Sequence, residues 1–282
     1  MTAGTDAGGA GTSGSARSRA KAALGAIGRV DGGAPVGTTL LIWHRVGGGS
    51  GDELDTSAAA FEGQLDLLVQ SGTEVLPLDA ALDRLATGDP SPSVVLTFDD
   101  GFADVHDVAW PLLRERDLPF TVYVSGGLVG GPLRWEGSSA DSQGAPAMTW
   151  ADLAELHRSG LATIGNHTFD HSRPEATDAA QLDRCSDAIA AHLGDAARPR
   201  HFAWTWGVEV PALRPAIEAR FRSAATGKLG RNAPGADVLA LRRVPVRRTD
   251  PPAFFAAKLR GRLLSERAYA GMVATAKVLR RG

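Results

Sequence analysis

From Thr38 onward the chain alternates short apolar runs with segments whose apolar residues recur every three or four positions. That is the pattern of strands followed by helices. Strands are expected at 38–43, 94–98, 119–125 and 161–164, then at 201–204, 222–225 and 241–246. Ser57 is placed to cap a helix with Phe61, Leu65 and Leu68 on one face, ended by Gly72. Further helices are predicted over 104–116, from the Thr149 cap to Ser159, and over about 179–193. The Gly/Ser/Pro-rich stretch 126–147 has a length usually kept for functional loops or disorder. Strand–helix alternation without an internal repeat predicts a mostly parallel sheet with helices outside it. Periodicity alone allows either a closed barrel or an open doubly wound sheet.

The two ends of the chain read differently. Residues 1–15 are a Gly/Ala/Ser/Thr tract, and Arg17, Arg19 and Lys21 precede a short, glycine-broken apolar run ending at Arg29. Such a run is too short for the centre of a secretion signal. Residues 1–36 are therefore expected to be a disordered flexible arm with at most one helical turn, and the expected location is cytoplasmic. Residues 37–264 form the expected catalytic domain, and 265–282 a basic amphipathic C-terminal helix. Residues 242–281 hold eleven Lys/Arg against Asp250 and Glu266. Leu264, Ala268, Met272, Ala276 and Leu279 recur at helical spacing. The preferred reading is a helix packed on the domain with a solvated basic face. The alternative is peripheral contact with an anionic membrane surface.

At 282 residues, 22% charged and 43% hydrophobic, the chain suits one large α/β domain. A net charge of −2 gives no reason to expect nucleic acid as a partner. The lone Cys185 excludes an intrachain disulfide framework, and no run of about 20 apolar residues offers a transmembrane segment.

The chemistry concentrates at two places. The run 94–98 ends in Asp99-Asp100-Gly101, and the run 161–164 leads into Gly165-Asn166-His167-Thr168-Phe169-Asp170-His171. Adjacent carboxylates near a low-dielectric core repel unless a cation or a proton lies with them. Asp-Asp-Gly alone is an ordinary turn. Two imidazoles four residues apart share one face of a helical turn, and with one carboxylate they make three metal ligands and leave a position open. Both clusters following predicted strands is the signal of a site.

Residues 97–101 and 167–171 resemble the Thr-Phe-Asp-Asp-Gly and His-Ser/Thr-x-x-His motifs of the polysaccharide deacetylases of carbohydrate esterase family 4. Weaker matches lie at Ile42-Trp43-His44-Arg45-Val46 and Phe202-Ala203-Trp204-Thr205-Trp206-Gly207. The resemblance runs from about 38 to 260 and implies an irregular (β/α)7 barrel. It implies a hydrolase acting on a carbon–nitrogen bond, removing N-acetyl groups from a cell-surface polysaccharide or its saccharide precursor. Asp100, His167 and His171 would hold a divalent metal, Zn2+ first, with Co2+, Ni2+ or Fe2+ as alternatives. Asp99 would be the general base, and backbone groups at Thr205, Trp206 and Gly207 would serve the oxyanion and the substrate. The family's late Leu-x-His acid is missing, since no histidine follows His201, and so is the arginine that orients the base. His44, after the first strand, is the best substitute acid. The arginines at 242 and 243 stay protonated and cannot be the acid. Trp135, Trp150, Trp204 and Trp206 could stack on sugar rings, with Trp150 and Trp204 expected in the core instead. A saccharide-binding protein of the same fold with impaired catalysis, or a hydrolase of another small carbon–nitrogen substrate, is the alternative.

Overall fold

The computed structural model describes residues 9–27, 36–138 and 144–279. Seven parallel strands close into a barrel: β1 (Thr38–Trp43), β2 (Ser93–Phe98), β3 (Phe120–Val124), β4 (Ala162–Asn166), β5 (His201–Ala203), β6 (Ser223–Leu229) and β7 (Leu241–Pro245). Chain order is spatial order. Closure is made by β1, which pairs with β2 from Thr38–Ser93 to Trp43–Phe98 and with β7 from Leu40–Arg243 to Ile42–Pro245. That double pairing excludes the open sheet. The barrel is irregular where β5 meets β4 through the single pair Phe202–Asn166, and where β6 bulges between Ala225 and Leu229. A two-residue strand, Glu74–Val75, extends the start of β2.

The strands sort their side chains by parity. Leu41, Trp43, Leu96, Phe98, Phe120, Val122 and Ile164 join the outer core with Phe61, Leu65 and Leu68 of α2 (Ala58–Gln70), while α1 is Gly9–Ile27. Trp43 stacks on Phe98 and meets the edge of Phe61, with its indole N–H donated to Gln64. Burying a side chain such as Phe61 contributes roughly 2–3 kcal/mol. Inside the barrel, Leu40, Val95, Tyr123, Ala203, Ala225 and Leu241 cluster with Leu78, Ala81 and Leu82 of α3 (Leu78–Ala86), which covers the N-terminal ends of the strands. There His201 lies buried, with Nδ1 2.9 Å from Ser223 Oγ and Nε2 3.5 Å from Asp79 of α3.

The remaining helices are α4 (Trp110–Glu115), α5 (Trp150–Arg158), α6 (Ala179–Leu193), α7 (Arg214–Glu218), α8 (Pro252–Leu259) and α9 (Leu264–Leu279). Ser57 caps α2 through the Ala60 N–H, and Thr149 with Asp152 forms a capping box on α5. A turn of π-helix, Val105–Ala109, precedes α4 just beyond Asp99-Asp100-Gly101.

Two expectations for the chain ends change. Within the segment expected to be a flexible arm, residues 9–27 form α1, and Lys21 is fully buried. Its ammonium donates to Thr249 Oγ1 and Asp250 Oδ1, each at 2.7 Å, and lies 4.5 Å from the Tyr269 ring. Lys258 bonds the other Asp250 oxygen and pairs with Glu266 of α9 at 3.0 Å. This polar cluster, invisible to hydrophobic periodicity, holds α1, α8 and α9 together. The helix α9 also turns a different face inward than its apolar spacing suggests. Glu266 and Tyr269 are buried, whereas Leu264 and Met272 are 44% and 52% exposed. No helix among the described residues is long and apolar enough to cross a membrane.

Burial pushes the His201 imidazole down from 6.5 to about 4, against the opposing pull of Asp79. The unfolded chain therefore binds a proton between those values that the folded chain refuses, so stability falls as pH drops through that window. The loss is on the order of 3 kcal/mol. Urea unfolding of His201→Gln from pH 7 to 4 is expected to show a shallower fall than wild type. A parallel slope would place the acid sensitivity elsewhere.

Candidate active site

The two aspartates leave β2 in opposite directions. Asp99 continues the strand, donating its N–H to the Trp43 carbonyl at 3.0 Å. Asp100 turns into the left-handed region at φ 73°, followed by Gly101 at φ 81°. A Cβ on Gly101 would lie 3.1 Å from Val124, so glycine suits both the turn and the close packing there. Four of the five non-glycine residues with positive φ among the described residues, Asp100, Thr168, His171 and Trp206, sit in or beside this site. Strain of that kind persists where the surrounding fold over-determines it.

The histidines follow β4, but on a loop rather than a helical turn. Left-handed φ at Thr168 and His171, 64° and 56°, folds the segment back so that both imidazoles reach one oxygen. Asp100 Oδ1 lies 3.3 Å from His167 Nε2 and 3.2 Å from His171 Nε2. Buried Asn166 braces the loop by accepting from the Thr168 N–H and donating to the Leu182 carbonyl and Ser186 Oγ of α6. His167 Nδ1 is 2.8 Å from the Ala203 carbonyl, an acceptor that fixes the proton on Nδ1 and leaves Nε2 as the ligand nitrogen.

The ligand atoms of Asp100, His167 and His171 lie within 4.8 Å of one another, all three residues buried. Burial opposes ionisation of Asp100, yet the two imidazoles hold its carboxyl well below the usual carboxylate range. Burial likewise opposes a charged His167, and Asp99 and Asp100 together raise it nonetheless. The cluster is thus built around a positive charge. Two imidazole nitrogens and a carboxylate oxygen fit a divalent metal, and these residues could hold one.

Sequence reasoning missed Arg243. It lies on β7, buried, and donates from Nη1 to Asp99 Oδ1 at 2.7 Å and from Nε to the Thr226 carbonyl at 2.9 Å. Burial raises the Asp99 carboxyl, and Arg243, together with His167 and His44, more than offsets it, so Asp99 stays ionised. The second oxygen, Oδ2, is left 3.9 Å from His167 Nε2. The expected gap, an arginine to orient the base, is filled from a different strand. Strand parity was the available signal, because Arg243 shares a face with Leu241 of the barrel interior.

These groups line a cavity of about 370 Å3 at the C-terminal ends of the strands, together with His44, Trp135, Trp206 and Gly207. His44 follows β1, and its Nδ1 is buried without a partner. Trp135 stacks on His171 at 4.0 Å between centroids, and Trp206 meets the same ring edge-on at 5.5 Å. The turn carrying Trp206 is anchored by Thr205 Oγ1, which donates to the Ser172 carbonyl at 2.8 Å. Gly207 packs so closely on Gly227 that a Cβ would come within 2.6 Å of its Cα, and its N–H is taken by the Trp204 carbonyl. Thr205 is buried and does not line the cavity, so its place is to hold the turn.

Other candidates lie elsewhere. Trp204 packs edge-on against Phe202, Trp150 stacks on His192, and His106 pairs with Asp107. Cys185 is buried against the Val124 carbonyl, and burial pushes its thiol up to about 12, so it is inert packing.

The polysaccharide deacetylase family profile matches residues 86–219. The chain is 28% identical to Bacillus subtilis YxkH over 141 residues, 49% of this chain and 44% of that protein. It is 25% identical to the poly-β-1,6-N-acetyl-D-glucosamine N-deacetylase of Escherichia coli over 140 residues, 48% of this chain and 21% of that one. The chain thus spans less than half the length of either curated relative. The structure of IcaB from Ammonifex degensii superposes with a TM-score of 0.68 at 30% identity, covering 80% of this chain and 97% of IcaB. Agreement over that much of both barrels, with the profile match inside it, shows that the chain belongs to the polysaccharide deacetylase family.

Proposed function

We propose that this protein is a metal-dependent hydrolase that removes N-acetyl groups from a polysaccharide. The observation that carries the reading is the placement of an ionised, arginine-held carboxylate beside a buried Asp-His-His ligand set on one cavity. When bound, a divalent ion, Zn2+ by its donor chemistry, would supply Lewis-acid polarisation and a more acidic water. The protein's own groups supply the rest. Asp99 accepts the proton of the attacking water at Oδ2, because Arg243 occupies Oδ1. His44, on the same cavity, delivers a proton to the departing amine. The Trp206 amide is the oxyanion donor of its turn, since the Gly207 N–H is already engaged. Trp135 and Trp206 offer aromatic walls to a sugar ring. The relative from Escherichia coli is named for an N-acetyl-D-glucosamine polymer, and an N-acetylhexosamine chain is the substrate proposed here.

The alternative, a binding protein of the same fold with impaired catalysis, rests on two gaps, the base-orienting arginine and the late histidine. Arg243 fills the first, and His44 stands in for the second in this proposal.

Acetate release from N-acetylated oligosaccharides, measured with bound metal by elemental analysis, tests the assignment. Asp99→Asn is expected to retain metal and lose about 10^2–10^4-fold in kcat, the usual worth of a positioned general base. His167→Ala is expected to lose the metal itself. An Asp99→Asn enzyme at full rate would remove Asp99 from the reaction, and wild type that releases no acetate would remove the activity.

Arg243→Met separates orientation from ligation. It leaves the Asp99 charge buried without its partner, so a stability loss of about 3–5 kcal/mol by urea unfolding is expected. Metal content should hold while kcat falls at least about tenfold. Arg243→Met with wild-type kcat would mean that the ion pair does not position the base.

A further inference from the structure

A second cavity, of about 290 Å3, lies beside the first on the same two elements. Trp206 and Gly207 line the catalytic cavity, and Trp204 and Glu209 from the same segment line its neighbour. Gly227 faces the first, and the next residue of β6, Lys228, faces the second. Trp206 on the first cavity and Val208 in the same segment are exposed apolar residues, 39% and 48% accessible. A long chain leaving the catalytic cavity along this segment would meet the second cavity.

The lining has a specific chemistry. Trp204 is 4% exposed, and its indole Nε1 is buried with no acceptor in the protein. An orphaned buried donor costs on the order of 1–3 kcal/mol, so folds rarely leave one without a use. Glu209 brings a carboxylate, paired with the half-exposed Lys228. Val210, Ile217 and Leu239 give an apolar wall. Arg214 also borders the cavity, but both of its terminal nitrogens are held by Asp237, at 2.6 and 2.9 Å.

An acetamido group asks for a donor to its carbonyl, an acceptor for its N–H and apolar contact for its methyl. Trp204 Nε1, the Glu209 carboxylate and the Val210–Ile217–Leu239 wall are one of each. We propose that this cavity is a subsite for the N-acetyl group of a second sugar of the same chain, while a unit at least two sugars away along that chain lies over Asp99 and Asp100. The inference rests on the deacetylase reading and extends it to recognition. A sugar already deacetylated would leave the Trp204 donor unmet and the apolar wall uncovered.

The test compares acetate release from a dimer and a pentamer of N-acetylglucosamine by wild type, Trp204→Phe and Val210→Arg. Trp204→Phe keeps an aromatic ring and deletes the donor, and Val210→Arg fills the cavity from a loop. With the pentamer, KM should rise about five-fold in Trp204→Phe, the size of one net hydrogen bond, and at least as much in Val210→Arg. With the dimer, kcat/KM should stay within about two-fold of wild type, because the short substrate does not reach the subsite. An unchanged pentamer KM in both variants, or equal losses on both substrates, overturns the subsite and leaves Trp204 satisfied by water. Absence of acetate from either oligomer with wild type would instead overturn the deacetylase reading. Calorimetric binding of intact pentamer to wild type and Trp204→Phe decides the subsite in that event, with weaker binding by the variant expected and equal binding overturning it.

Discussion

The 2.7 Å contact between Arg243 and Asp99 is the interaction on which the candidate site turns. It joins β7 to β2 across β1, and it exists only because β1 hydrogen-bonds to both. An open sheet would leave Arg243 at one edge and Asp99 far from it. Barrel closure is thus more than architecture here: it converts two carboxylates adjacent in sequence into chemically unlike groups. Asp99 is held ionised by a guanidinium, while Asp100, turned away by its left-handed backbone, answers to two imidazoles. The mutual repulsion of the pair is met by separate partners, a guanidinium for Asp99 and two imidazole nitrogens for Asp100.

Much of this was legible in the sequence. The strand runs, the Ser57 and Thr149 caps and the two motif clusters are local features, and local chemistry can be read locally. His44, Asp99, Asp100, His167, His171, Trp206 and Gly207 all line one cavity. What escaped was whatever depends on partners distant in the chain. Arg243 looked useless because it cannot donate a proton in catalysis, although a permanent charge is what orients a neighbouring carboxylate. The histidine loop was read as a helical turn because spacing alone does not reveal two left-handed residues. Thr205 was grouped with its neighbours, whereas its hydroxyl ties the turn to the histidine loop.

The ends of the chain were the least legible. Hydrophobic periodicity weighs apolar residues, and a lysine in a Gly/Ala/Ser-rich segment carries no weight on that scale. Lys21 is nonetheless among the most buried side chains, because Asp250, Thr249 and the Tyr269 ring receive it. The same principle hid the inward face of α9, where Glu266 is buried between Lys258 and Arg247 while Leu264 faces solvent.

That cluster has a consequence for how the molecule comes together. Lys21 and Asp250 are separated by 229 positions, so the ammonium lacks its hydrogen-bonded carboxylate until nearly the whole barrel has been synthesised, although Glu53, 3.7 Å away, comes much earlier. Loop closure over such a distance is entropically slow. The docked position of the first helix depends on the last part of the chain, because Asp250, Thr249 and Tyr269 receive its lysine. The loop carrying Asp52 and Glu53 follows β1 toward the catalytic rim and is bound to the same group through Arg248 and Thr249. One wall of the cavity is therefore fixed by the same contacts that hold the two ends of the described chain together.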